Sequence, residues 1–166
     1  PCLFTAKRLL YQKREEDSAG KKMKRILLIL FSIILLLTML SCDSDNSEVL
    51  AKREISDILY DISMDFNLKD ISGIMDHLHT EYLHNGMLGY NFNDLWLDRM
   101  AQFSLLEIEI LYIELDGDKA TVHSKNKFSS NSETQTLNEP EDSGDISYFR
   151  RENGVWYIYG NQQLFK

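Results

Sequence analysis

Cysteine is nearly absent from this 166-residue chain, which has two, and both precede the main body: Cys2 and Cys42. The residues after Cys42 can therefore form no disulfide, no thiolate nucleophile and no cysteine-ligated zinc site. Proline is equally scarce, with only Pro1 and Pro140. Few positions are therefore barred from helices or strands. Cations are the third shortage, and their distribution is uneven. Eight of the 18 Lys/Arg but only three of the 26 acids precede Cys42, which leaves 23 acids against 10 cations, a net of −13, after it. So negative a body repels phosphate backbones, and no nucleic-acid partner is expected. The chain also lacks internal repeats.

The one long apolar run is ILLILFSIILLLTML at positions 26–40, directly after Lys24 and Arg25. As a helix it would rise only about 22 Å, short of the roughly 30 Å hydrocarbon core of a bilayer. Charge, then an apolar stretch, then a small residue is the order of a secretory signal peptide. The run closes on Met39, Leu40, Ser41 and Cys42, which resembles the lipobox of bacterial lipoproteins, with Met39 where leucine is usual. That resemblance implies cleavage before Cys42 and lipid on its thiol. The alternative is an uncleaved signal anchor. Met23 stands immediately before the basic pair, so residues 23–41 are read as the signal peptide and residues 1–22 as over-read upstream sequence. Residues 42–47, acidic and polar, are expected to form the lipidated cysteine and a flexible tether. The resulting expectation is a domain over 48–166, outside the cytoplasm, held to a membrane of the bacterial cell envelope by lipid on Cys42; which membrane leaflet carries it is left open.

Within that domain Ala51, Ile55, Ile58, Leu59, Ile62 and Phe66 recur at three- and four-residue steps, the mark of an amphipathic helix, and Ser47 is the expected N-cap. A second short helix is expected from Asp70, with Ile71, Ile74, Met75 and Leu78 inward. Asn85, Gly86 and Gly89 punctuate a loop, and Asn93 and Asp94 are placed to cap a third helix carrying Leu95, Trp96 or Leu97, and Met100. From Leu105 the period changes to two. Leu106, Ile108 and Ile110 alternate with Glu107 and Glu109, and Ile113 and Leu115 continue on the opposite parity, which predicts a bulge near Leu111–Tyr112. Asp116, Gly117 and Asp118 form a turn into a strand over 120–124. Residues 129–144 read as a long exposed loop. Strands over 146–151 and 155–159, joined by Asn153 and Gly154, form the clearest hairpin.

The sequence thus predicts an α+β fold: N-terminal helices wrapped by a cone-shaped, curved antiparallel sheet, preceded by a signal-peptide helix. The order of elements, the strand over 106–115 and the closing 148–159 hairpin resemble the nuclear transport factor 2-like superfamily, which includes SnoaL-like and ketosteroid isomerase-like proteins. The resemblance implies a conical half-barrel whose mouth often holds a small apolar ligand. It carries over no catalytic residue: Tyr60 lies on the first helix, but no acid aligns with the family's base or second acid. On this basis Tyr60, Met64, Tyr82, Tyr90 and Trp96 are the expected pocket residues, and the alternative is a filled core with no pocket.

His77, His79, Glu81 and His84 supply ligand types suited to zinc, yet positions 77 and 79 of a helix point about 200° apart. Helix-end histidines are the simpler reading, and neither a metal nor a cofactor is expected. Functionally, the residues suggest a noncatalytic protein that binds a small apolar ligand or a protein partner. A small pocket enzyme of isomerase, hydratase or cyclase type is the alternative, and a homodimer through the sheet face is a further possibility.

Overall fold

The three- and four-residue rhythm of 51–66 is realised as one long helix, α1 (Ser44–Leu68), in the computed structural model, which describes residues 44–164. These residues belong to the compact unit Glu48–Lys166, save for the first turn of α1. Cys42, the apolar run and the leader expected over 23–41 lie outside the described residues. Among the described residues no helix is long and apolar enough to cross a membrane. Two expectations at the start of α1 are corrected. Ser47 sits inside the helix instead of capping it, and the stretch expected to be a tether is helical from Ser44.

Ala51, Ile55, Leu59, Ile62 and Phe66 are buried, with Ile58 partly so, as the periodicity requires. The helix stops at Lys69, which takes a left-handed conformation (φ 63°) although it is not glycine. Its ammonium group donates to the carbonyls of Met100, at 2.6 Å, and Phe103. A cation there suits the negative end of the helix that finishes at Gln102. Asp70 then caps α2 (Ile71–Asp76), its carboxylate accepting from the Ser72 and Gly73 amides.

Asn85 and Gly86 do more than punctuate a loop. Both have positive φ (47° and 80°), and they join a tight hairpin, β1 (Leu83–His84) and β2 (Met87–Leu88). Helix α3 (Gly89–Gln102) follows at once. It starts four residues before Asn93, so Asn93 and Asp94 lie within it rather than at its cap. Asn91 instead accepts from the Leu88 amide at 3.1 Å. The buried stripe of α3 is Phe92, Trp96 and Met100.

The sheet is built on β3 (Leu105–Asp116) and β4 (Lys119–Ser129), whose register shifts between Ile110 and Tyr112, where the parity change predicts a bulge. The far edge of β4 is divided between two strands. β5 (Thr134–Glu139) pairs along Ser124–Ser129, and β6 (Tyr148–Glu152) pairs along Lys119–Thr121. β7 (Val155–Ile158) closes the sheet against β6 across Asn153 and Gly154, both at positive φ. β5 corrects the expectation of a long loop over 129–144. Likewise the strand expected from 146 begins at Tyr148, leaving Asp145, Ile146 and Ser147 as buried irregular chain.

The fold is therefore the predicted α+β cone, with helices first and a curved antiparallel sheet after them. Aromatic rings occupy its interior. Phe66 meets Trp96 and Phe128 edge-on at 5.9 and 5.4 Å, and Phe92 stacks on Trp96 at 5.4 Å. Truncating a fully buried Phe costs about 3–5 kcal/mol, because the cavity only partly collapses. Phe66→Ala should lower the unfolding free energy by about that much, whereas Leu68→Ala, on the exposed side, should change it by less than about 0.5 kcal/mol. Urea melts that show equal losses would mean that α1 buries a different face.

Candidate functional site

The polar segment after β5 folds back into the cone and brings charge with it. Asp145 is buried, and three side chains converge on its carboxylate. Arg99 Nη1 donates to Oδ2 at 2.5 Å, Trp96 Nε1 donates to the same oxygen at 2.8 Å, and Ser143 Oγ donates to Oδ1 at 2.8 Å. Tyr82 donates its hydroxyl to the Asp145 carbonyl at 3.0 Å. Arg99 and Trp96 stand three apart on α3 and therefore share one face. The Arg99 guanidinium also lies over the rings of Trp96 and Phe128, at 5.3 and 5.2 Å. Burial alone would raise the pKa of Asp145, but Arg99, Ser143 and Trp96 together hold it below the ordinary carboxylate value.

Glu139, at the end of β5, is a second acid in the same interior and only 2% exposed. It accepts from the Gly144 amide. Burial, and then the negative charge of Asp145, push its pKa up to about 7, against the pull of the Gly144 amide and of Arg99. Gly144 (φ 74°) cannot easily be replaced, since a Cβ there would sit 3.0 Å from both His84 Cε1 and the Pro140 carbonyl. His84 donates from Nε2 to the Ser143 carbonyl at 2.7 Å and stacks against Tyr148. Burial drives the Tyr82 phenol well above its ordinary pKa, so that it remains a donor.

Chemically this cluster offers a fixed anion, Asp145, beside a carboxyl that exchanges its proton near neutrality, Glu139. Among the described residues, two open spaces lie away from this cluster. A groove of about 290 Å³ runs between α1 and β3, lined by Ser56, Leu59, Tyr60, Ser63, Ile108 and Ile110. A depression of about 300 Å³ on the sheet is lined by Glu107, Ile108, Glu109, Lys125, Lys127 and Thr136. Its floor is a charge ladder: Glu107 faces Lys127, with a 2.9 Å ion pair, and Glu109 faces Lys125.

The five expected pocket residues are divided by this geometry. Tyr82 and Trp96 are buried and meet at Asp145. Tyr60 is 65% exposed and lines the α1–β3 groove, and Met64 follows one turn later on the exposed side of α1. Tyr90 is 66% exposed in the first turn of α3 and lines neither groove. Helical phase explains the division, because positions 60 and 64 face away from the buried 55–59–62–66 stripe. Asp145, Arg99, Glu139 and Ser143 were not foreseen as site residues. They are brought together over as many as 46 positions of sequence, and Ser143 and Asp145 lie in a polar loop.

The histidines do not converge. His79 accepts from the Glu81 amide through Nδ1 at 3.0 Å and donates from Nε2 to Glu152 at 2.5 Å, while His84 serves the Ser143 carbonyl. His79 also donates its amide to the Ile158 carbonyl, clasping the 77–82 segment to β7. Among the described residues no group of three or more His, Cys, Asp or Glu is placed to hold a metal ion.

Neither protein-family models nor curated proteins match this chain in sequence. Solved structures do match it in shape. A Mycobacterium tuberculosis protein of unknown function superposes with a TM-score of 0.54 at 14% identity, covering 72% of this chain and 74% of its own. A Nostoc punctiforme protein of unknown function with a cystatin-like fold gives 0.52 at 14% identity, covering 67% and 87%. A member of the nuclear transport factor 2-like family from Streptomyces avermitilis gives 0.50 at 11% identity, covering 68% and 94%. At such identities the likeness establishes the fold, a nuclear transport factor 2-like cone, and says nothing about activity.

The raised pKa of Glu139 has a definite sign. Its protonated form stabilises the fold fully below the ordinary value of 4.5, and that contribution is lost as pH rises towards about 7. Glu139→Gln keeps an acceptor for the Gly144 amide and removes the buried charge. It should stabilise the protein at pH 8 by roughly 1–3 kcal/mol and leave it unchanged at pH 4, as read by thermal melts. Arg99→Met should instead cost about 3–5 kcal/mol at pH 8, because it strands the Asp145 carboxylate. A neutral effect of Arg99→Met would show that Asp145 is not held as described.

Proposed function

We propose that this protein is a noncatalytic, lipid-anchored component of the bacterial cell envelope that binds a protein partner along the α1–β3 groove. The observation that carries the binding half is where space is found. The cone interior is taken up by Phe66, Phe92, Trp96, Phe103 and Phe128, and by Asp145 with its donors. The groove is open and partly apolar, and it exposes Tyr60 on its wall. An aromatic side chain with an apolar body and a polar tip is a common anchor at protein interfaces. The anchoring half rests on the sequence, on Lys24 and Arg25, the apolar run over 26–40, and Ser41 before Cys42. In this reading the domain stands outside the cytoplasm, tied to the membrane by lipid on Cys42.

A small pocket enzyme is the second reading, and Glu139 is the observation that favours it. A carboxyl that titrates near neutrality beside an anion is the kind of group that moves protons in isomerases and hydratases. It ranks second because Glu139 is buried and lines neither groove.

The test compares two exposed tyrosines in the full-length chain. A photo-crosslinking residue replacing Tyr60 should trap a defined protein partner in cells, whereas one replacing Tyr90, equally exposed but outside the groove, should not. Equal trapping at both positions would remove the groove from the account. The mass of the membrane-extracted protein should begin at a diacylated Cys42, and an intact 23–41 segment on it would refute the anchor.

A further inference from the structure

Among the described residues β3 is an edge strand, paired with β4 alone. An antiparallel strand turns the main-chain groups of alternate residues towards its neighbour and those between them towards the open side. Leu106 is in the outward phase. Its amide donates to Asn67 Oδ1 at 2.7 Å, and its carbonyl accepts from Ser63 Oγ at 2.7 Å and Asn67 Nδ2 at 3.3 Å. For that residue α1 supplies, through side chains, the hydrogen bonds a neighbouring strand would give. The same phase continues to Ile108 and Ile110, just before the bulge. Both line the α1–β3 groove, and among the described residues no side chain or strand pairs with their outward amides and carbonyls. The groove therefore presents strand-type donors and acceptors on one wall and Ser56, Leu59, Tyr60 and Ser63 on the other.

Charge selects what can be added there. On the outer face Glu107 and Glu109 are exposed, and their partners on β4 are Lys127 and Lys125. A second copy of β3 laid antiparallel with Ile108 opposite Ile108 would set Glu107 against Glu109, which is destabilising for directly opposed residues. Cations on the added strand would instead extend the ladder to positive, negative, positive. Glu107 and Glu109 thus give the open edge an acidic rim. The alternate side chains of the added strand would enter the groove beside Leu59, Tyr60, Ile108 and Ile110, which suits aliphatic residues.

We infer that the β3 edge takes an extended segment of the partner as an added strand, and that this segment alternates Lys or Arg with aliphatic residues. The inference rests on the groove being the binding surface, and it names the chemistry of what binds there.

The probe is a short synthetic peptide alternating Lys with Ile, with a version carrying Glu in place of Lys as the control, added to the full chain in detergent. The Lys peptide should bind and slow amide exchange at Ile108 and Ile110 by about tenfold or more, leaving Glu107 and Glu109, which already bond to β4, unchanged. Glu109→Lys should weaken that binding by roughly fivefold or more at low salt, with the circular dichroism spectrum unaltered. The Glu peptide should not bind. Absence of binding, binding without protection of the two amides, or equal binding of both peptides would each overturn the inference. Should the crosslinker at position 60 still trap a partner in that event, the groove stands as the binding surface and only the added strand falls. If trapping at position 60 fails as well, both readings fall.

Discussion

A carboxylate placed in an apolar interior is the constraint on which the remainder of this fold depends. Asp145 cannot stay ionised there unless donors surround it, and the chain supplies Arg99 and Trp96 from α3 and Ser143 from its own loop. Meeting that demand orders the chain between β5 and β6, so that Ser147 can accept from the Val122 amide and β6 can pair with β4 from Tyr148 onward. It also sets the state of its neighbour. Burial first, and then this nearby negative charge, push the pKa of Glu139 up to about 7. The interior therefore combines an ion pair, Asp145 with Arg99, with one conditional charge; Asp145 holds the loop against α3, and Glu139 ties it to the end of β5.

Much of the framework was legible in sequence because it is periodic. The 51–66 stripe, the parity change after Ile110 and the turn at Asn153 and Gly154 all record local geometry, which needs no knowledge of distant residues. What was missed lacks an apolar period. In β5 the only apolar residue is Leu137, and most of its other side chains face solvent, so an edge strand reads as a loop. The first turn of α3 holds Gly89 and Tyr90, which signal a turn as readily as a helix, and its start depends on Asn91 reaching back to Leu88. The Asp145 cluster was hidden for a different reason. Arg99 looks like an ordinary exposed helical cation until the chain beyond residue 139 is folded against it. Of the five tyrosine, methionine and tryptophan positions expected at a pocket, helical phase sends Tyr60 and Met64 outward, while Tyr82 and Trp96 are drawn in by Asp145.

These two regions divide the labour of the domain. The interior is filled by rings and a satisfied ion pair, and the open surface lies along the outer groove, where an exposed aromatic, an incomplete strand edge and an acidic rim coincide. Such a division suits a protein that works by surface contact. The net negative charge after Cys42 favours a cationic partner.

The central claim is that the cone interior is occupied by the protein itself and works as structure. Native mass spectrometry of the full chain, purified gently from its own host, tests it most directly. The account predicts a mass with no small molecule held in the cone, for the natural sequence and for Glu139→Gln alike. A stoichiometric small molecule on the natural protein that is lost on Glu139→Gln would contradict it, and would make the buried acids a ligand site.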